Sequence, residues 1–154
     1  MSDLTPLTAA RDTSLGQLLI QAARLWHEAA LTELASLGHP GLRASHFQLA
    51  PHLDLEGSRI TEVAARAGIS KQAVGQLVDE LEALGYVERV ADPRDARARL
   101  VVYTPKGRAA MGDGLRALAG VEARLGPALG DVGALRSSLQ GIVRGLQGAE
   151  ARRG

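Results

Sequence analysis

Apolar positions along this chain recur at helical spacing, shorten to strand spacing near residue 86, and then return to helical spacing. Leu15, Leu18, Leu19, Ala22, Leu25, Trp26 and Ala29 follow at three- and four-residue intervals, which predicts a long first helix reaching Gly38. Ser14-Leu-Gly-Gln17 ahead of it has the form of a capping box. His39-Pro-Gly41 reads as a turn and Ala44 to Ala50 as a short second helix with Phe47 toward the core. Pro51 breaks or kinks that helix, because proline lacks the amide and its ring clashes with the preceding turn. Thr61 is placed to cap a third helix, with Glu62 in its first turn, Val63, Ala64 and Ala67 as a small apolar face, and Gly68 as its end. Ile69 is expected to anchor the turn that follows. Ser70 is a strong N-cap for a fourth helix, whose Ala73, Val74, Leu77, Val78, Leu81 and Leu84 recur until Gly85.

Beyond Gly85 the pattern changes. Tyr86 to Val90 and Leu100 to Thr104 are rich in β-branched and aromatic residues, and Asp92, Pro93, Arg94, Asp95, Arg97 and Arg99 lie between them. That is a β-hairpin with a polar, arginine-rich loop. Thr104 then caps a fifth helix with Pro105 in its first turn, and Met111, Leu115, Leu118, Val121 and Leu125 carry its stripe to Gly126-Pro127. Asp131 caps a last helix bearing Val132, Leu135, Leu139, Ile142, Val143 and Leu146. The expected fold is mainly α with a small β-wing and about six helices. Helix, turn, helix and charged hairpin form the layout of a winged helix-turn-helix, in which one helix enters the DNA major groove and the hairpin reaches the adjacent backbone or minor groove.

Several of these residues together resemble the multiple antibiotic resistance regulator (MarR) family of bacterial transcription factors. Asp92-Pro-Arg-Asp-Ala-Arg97 matches that family's wing pattern of Asp, a variable pair, Asp, a variable residue and Arg. Leu100 and Thr104-Pro-Lys-Gly107 continue it, and Ser70-Lys-Gln72 and Leu81 to Arg89 are similar to the family's recognition helix and its exit. About a third of the chain carries these motifs, which are specific only as a set. The resemblance implies a homodimeric, ligand-responsive regulator, with repression the expected output, on a pseudo-palindromic operator. It also implies first and last helices interlocked with those of a second copy. The family's second helix usually runs on without proline, so Pro51 is a departure, and a polar or basic residue is common near Gly75 and Gln76.

Composition narrows the reading. With 154 residues there is room for one domain with a real core, or a DNA-binding lobe plus a dimerisation lobe. Aromatics are 3% of the chain, so that core is aliphatic. No cysteine is present, which excludes disulfides, thiolate zinc sites and the cysteine-based peroxide sensing found in part of the family. No apolar run approaches the roughly 20 residues of a membrane span, and MSDLTPLTAARD lacks a signal peptide's apolar core, so the expected location is cytoplasmic.

A net charge of +1, from 18 basic against 17 acidic residues, would not by itself suggest DNA. The basic groups are locally placed instead: Lys71 opens the fourth helix, Arg89 follows the first strand, and Arg94, Arg97 and Arg99 crowd the wing. The candidate DNA contacts are Thr61, Ser70, Lys71, Gln72, Gly75, Gln76, Arg94, Arg97 and Arg99. Ser70 and Lys71 suit phosphate, Gln72 and Gln76 suit base edges, and Gly75 permits close approach. Arg94 is expected to point outward beside Pro93, with Arg97 paired to Asp92 or Asp95 to hold the wing.

The stripes at both ends of the chain are wider than one small lobe can cover. Leu15, Leu18, Leu135, Leu139, Ile142 and Leu146 are the expected dimer interface, with 1–37 and 105–154 forming a helical dimerisation region around a DNA-binding region at 38–104. A monomeric bundle is the alternative. Glycines at 112, 114, 120, 130, 133, 141, 145 and 148 weaken the last helices by roughly 0.5 to 1 kcal/mol for each interior position. They reflect either close helix approach at the interface or coding bias.

No cofactor and no catalysis are expected. His27, His39, His46 and His52, with Asp54 and Glu56, are the raw material for a small helical enzyme, but no HExxH, GxSxG, Walker or Rossmann pattern accompanies them. A metal-responsive regulator using His39, His46 and His52 is a second alternative, suggested by zinc-sensing relatives. The resemblance further implies a small aromatic or anionic effector between helical base and winged lobe, lined by the first, second and fifth helices. Trp26, His27, His46, Phe47, Met111 and Leu115 are the candidates; a purely packing role for Trp26, Phe47, Met111 and Leu115 is the other reading.

Overall fold

The computed structural model describes residues 14–150, so the opening segment considered above lies outside the described residues. Six helices and one hairpin follow in the order α1 (Leu15–Ser36), α2 (Ala44–Leu49), α3 (Ile60–Ala67), α4 (Lys71–Ala83), β1 (Val87–Asp92), β2 (Asp95–Tyr103), α5 (Pro105–Leu129) and α6 (Val132–Glu150). Pro51 ends α2 as expected, and Ala50–His52 form a single 3₁₀ turn after it. The chain divides at Ala119 and Gly120 into two compact units, with α5 running through the division. No described helix is long and apolar enough to cross a membrane.

Local chemistry sets most of the boundaries. Ser70 Oγ accepts from the Ala73 amide at 3.1 Å, Thr104 Oγ1 from the Gly107 amide at 3.0 Å, and Asp131 Oδ1 from the Ala134 amide at 3.0 Å. The α3–α4 turn needs a left-handed residue, and Gly68 supplies it at φ 67°. Three expectations fail. Ser14 makes no side-chain cap; its carbonyl alone holds the Leu18 amide. The third helix begins a residue earlier than Thr61, with Arg59 at the N-cap and its amide donating to Glu62 at 3.2 Å. Ile69 contributes its amide to the turn while its side chain stays exposed.

The first unit is organised around one apolar cluster. Val63 of α3 and Val74 and Val78 of α4 are fully excluded from solvent, and Leu49, Leu81, Val87, Val101 and Tyr103 pack into the same cluster. Burying each such valine stabilises by about 1.5–3 kcal/mol relative to leaving it exposed, which fixes the two helices against the hairpin. Helix α5 starts hard against that hairpin: a Cβ on Gly107 would lie 1.9 Å from the Tyr86 carbonyl oxygen, so no larger residue fits.

The hairpin is longer than its sequence pattern indicated. β1 and β2 pair antiparallel from Val87 with Tyr103 to Asp92 with Asp95, with an irregularity between Ala91 and Asp92. Most of the expected loop is therefore strand, and only Pro93-Arg94 remain at the tip. Ser58 adds a short third edge by exchanging two backbone hydrogen bonds with Val101, at 3.1 and 2.9 Å. In the C-terminal unit, α5 passes through Pro127 rather than stopping there, because the missing amide removes one bond inside the last turn.

Candidate nucleic-acid interface

Helix α4 has two faces of opposite character. Val74, Val78 and Leu81 are buried, while Lys71, Gln72, Gln76 and Asp79 are exposed. Ser70 stands exposed at the helix start, where the free amides of the first turn and the Lys71 ammonium favour an anion. Space around a Cβ at Gly75 is open, so no packing within the described residues requires glycine there. Acidic charge on this face is already matched, since Arg89 of β1 reaches Asp79 at 2.6 Å and also pairs with Glu82. Thr61 is exposed in the first turn of α3.

The wing is held by a carboxylate that the sequence left to Arg97. Asp92 is buried at the end of β1, and its Oδ2 receives Arg59 Nε at 2.8 Å and Nη2 at 2.6 Å. Its Oδ1 accepts the Arg94 amide at 2.9 Å, an Asx turn that sets the tip. The Arg94 amide first, and the Arg59 guanidinium next, hold the Asp92 carboxyl below the usual carboxylate range. Arg97 does not clamp the wing. Its backbone amide donates to Asp95 at 3.1 Å, and its guanidinium forms no ion pair among the described residues. The long side chain that reaches Asp92 comes instead from Arg59, just ahead of α3, so the pairing needed the fold to be visible. Arg94 is 75% exposed, with only a 3.4 Å contact to Asp92, and Arg97 and Arg99 are exposed beside it.

Behind α4 lies a cavity of about 350 Å³ within the first unit. Of the expected effector residues, His46, Phe47, Met111 and Leu115 line it. Trp26 and His27 do not; His27 of α1 meets Phe47 in a tilted ring contact, with centroids 5.8 Å apart. Tyr86 and Tyr103 line the cavity too, although their sequence signal is only that of strand residues. His46 ties the cavity to α4. Its Nδ1 accepts the Arg43 amide at 3.2 Å, so the proton resides on Nε2, which donates to Glu80 at 2.9 Å. Burial first, and the nearby Arg43 second, push the His46 imidazole below its ordinary value despite Glu80.

Two of the three histidines considered as metal ligands, His39 and His46, are separately employed. His39 is buried and bonded to Asp113 at 2.9 Å, with the Tyr86 hydroxyl 3.4 Å from its other nitrogen, while His46 belongs to Glu80. No group of three or more histidine or carboxylate side chains converges as a metal set among the described residues.

Residues 41–98, which hold the helix-turn-helix and most of the wing, match the profile of the MarR family. CouR from Rhodococcus jostii RHA1, solved bound to p-coumaroyl-CoA, is 29% identical over 86% of this chain and 94% of that one, with a TM-score of 0.65. A MarR-family transcriptional regulator from Rhodococcus sp. RHA1 is 28% identical over 84% of this chain and 95% of its own, also at 0.65. The transcriptional repressor CouR bound to a 23-mer DNA duplex is 26% identical over 96% and 99% of the two chains, with a TM-score of 0.70. No curated protein matches by sequence.

Proposed function

We propose that this chain is a winged helix-turn-helix DNA-binding transcriptional regulator of the MarR kind, acting as a homodimeric, ligand-responsive repressor on a pseudo-palindromic operator, a reading supported by the match of residues 41–98 to the MarR family profile and by the likeness to CouR. The observation that carries the DNA reading is the exposed face of α4, where Lys71, Gln72 and Gln76 stand clear of the core beside a wing tip carrying Arg94. Lys71 and the Ser70 turn grip phosphate; Gln72 and Gln76 read base edges; Arg94, Arg97 and Arg99 follow the adjacent backbone or minor groove. Two α4 helices related by the dimer axis enter major grooves about 34–36 Å apart.

Assembly is supported by what the flanks leave uncovered. Leu15, Leu18, Leu135, Leu139 and Leu146 are exposed large apolar residues, and Gly141 and Gly145 have open space where a Cβ would sit. On this reading a second copy covers the exposed stripes of α1 and of α6, with 1–37 and 105–154 serving dimerisation and 38–104 serving DNA. The cavity beside α4 holds a small aromatic effector, whose binding shifts α4 through His46 and Glu80 and so changes the spacing of the two recognition helices.

The test is a mutational split on operator recovered by selection from random duplexes. Gln76→Ala changes base preference with little effect on salt dependence, whereas Lys71→Ala weakens all sequences alike and flattens the salt slope by about one unit. Equal losses from both changes on every duplex variant would contradict the assignment.

A further inference from the structure

The polar side chains that line the α4 cavity, His46, Tyr86 and Tyr103, each have a partner inside the protein, and so do several charged residues next to them. Both nitrogens of His46 are used, one by the Arg43 amide and one by Glu80, and the Arg43 guanidinium pairs with that same carboxylate. Lys106 donates to the Leu84 carbonyl at 2.7 Å and sits 4.5 Å over the Tyr86 ring. Arg108 donates to the Tyr103 carbonyl at 2.6 Å, and the Tyr103 hydroxyl to the Ala50 carbonyl at 3.3 Å. The Tyr86 hydroxyl faces His39, itself held by Asp113. What remains to line the space is hydrocarbon, aromatic ring and thioether, including Phe47, Met111 and Leu118.

A carboxylate drawn into such a space loses its water and meets no lysine or arginine in the lining, which is unfavourable. An uncharged ring meets Phe47, Tyr86 and Tyr103 faces and the polarisable Met111 sulfur, all favourable contacts for a flat π-system. A volume of about 350 Å³ accommodates two fused rings or one ring with a short chain. We propose that this cavity takes the uncharged aromatic body of a ligand and excludes a free aromatic carboxylate; any charged portion of the natural ligand stays outside. The inference builds on the reading of the cavity as an effector site and narrows its chemistry.

The experiment compares methyl 2-naphthoate with 2-naphthoate, which is ionised at neutral pH, by calorimetry on the full chain and by release of bound operator. The ester binds and releases DNA, and the acid binds at least about tenfold more weakly. A second arm uses Leu115→Lys, a position on the cavity wall, with the fold of the variant checked by its thermal midpoint. Placing an ammonium at the cavity shifts the ratio of acid to ester affinity toward the acid by about fivefold or more, whatever the change does to ester binding alone. Acid binding as tight as ester binding in the unmodified protein overturns the exclusion of charge and leaves the effector site standing. A ratio that Leu115→Lys does not move overturns the placement of the ligand in this cavity, and binding by neither compound overturns both the inference and the effector reading beneath it.

Discussion

Helices α4 and α6 are built by the same local rules and end in opposite situations. Each begins at a polar cap that accepts the amide three residues on, Ser70 in one and Asp131 in the other, and each carries apolar residues at three- and four-residue spacing. In α4 those residues, Val74, Val78 and Leu81, are buried by its own chain. In α6 the equivalent stripe of Leu135, Leu139, Val143 and Leu146 is exposed, Leu146 to 65%. Periodicity and capping decide whether a helix forms; they say nothing about which molecule supplies the surface that covers it. On the dimer reading, α4 is stabilised intramolecularly and α6 by mass action, so the second depends on concentration and the first does not.

The largest effect that separates the two is expected at Leu139. Leu139→Glu places an unpaired charge in the proposed interface, costing several kcal/mol, and dissociates or unfolds the dimer while the α4 cluster keeps its composition. Sedimentation of the wild type decides the premise: a folded monomer at micromolar concentration removes the contrast altogether.

Next in size is the wing, where α4's unit depends on one ion pair. Arg59→Ala removes the guanidinium from buried Asp92, loosens the tip and lowers operator affinity by about tenfold, whereas Arg97→Ala lowers affinity without loosening the wing. Because the Asp92 carboxyl is held low in the folded chain, its stabilisation is complete above the ordinary value of about 3.9 and is lost as pH falls through the depressed one. In Arg59→Ala the folded value lies closer to the ordinary one, so the acid loss is smaller and is complete at higher pH. Hydrogen exchange of the hairpin amides on acidification measures it, and identical profiles for the two proteins would remove Arg59 from the role.

The smallest expected effect is at His46. Its folded imidazole is held below the ordinary value of about 6.5, so the unfolded chain binds the proton first and stability falls as pH drops below that value. His46→Gln flattens the slope, seen as thermal midpoints that change less between about pH 7 and pH 5 than those of the wild type. An unchanged slope would mean that burial and Arg43 do not hold the His46 ring neutral in the folded chain.

The sequence was most legible where one residue acts on its neighbours. Ser70, Thr104 and Asp131 cap where spacing placed them, Gly68 ends α3, and Pro51 ends α2, because each effect spans fewer than four residues. Failures came where a distant segment intervened. The residues read as a wing loop pair as strand because Asp92 is anchored from Arg59, 33 positions earlier, and Ser58 extends the edge beside Val101. The exposed face of α4 was readable from its periodicity. The cavity was only half readable: His46 and Phe47 stood out as rare residue types, but Tyr86 and Tyr103 carry an ordinary strand signal until the hairpin folds back.

Gly75 bears on how such a protein can change over generations. A methyl group at that position meets nothing within the described residues and would strengthen α4 by about 0.5–1 kcal/mol. Glycine and alanine codons differ by a single base, so this stabilising step is always within reach of mutation. Because the chain's own packing does not require glycine there, a glycine kept against that gain is, on the reading of α4 as the recognition helix, kept for the fit of the helix surface against DNA. On the same reading, operator preference can change at this position without disturbing the fold.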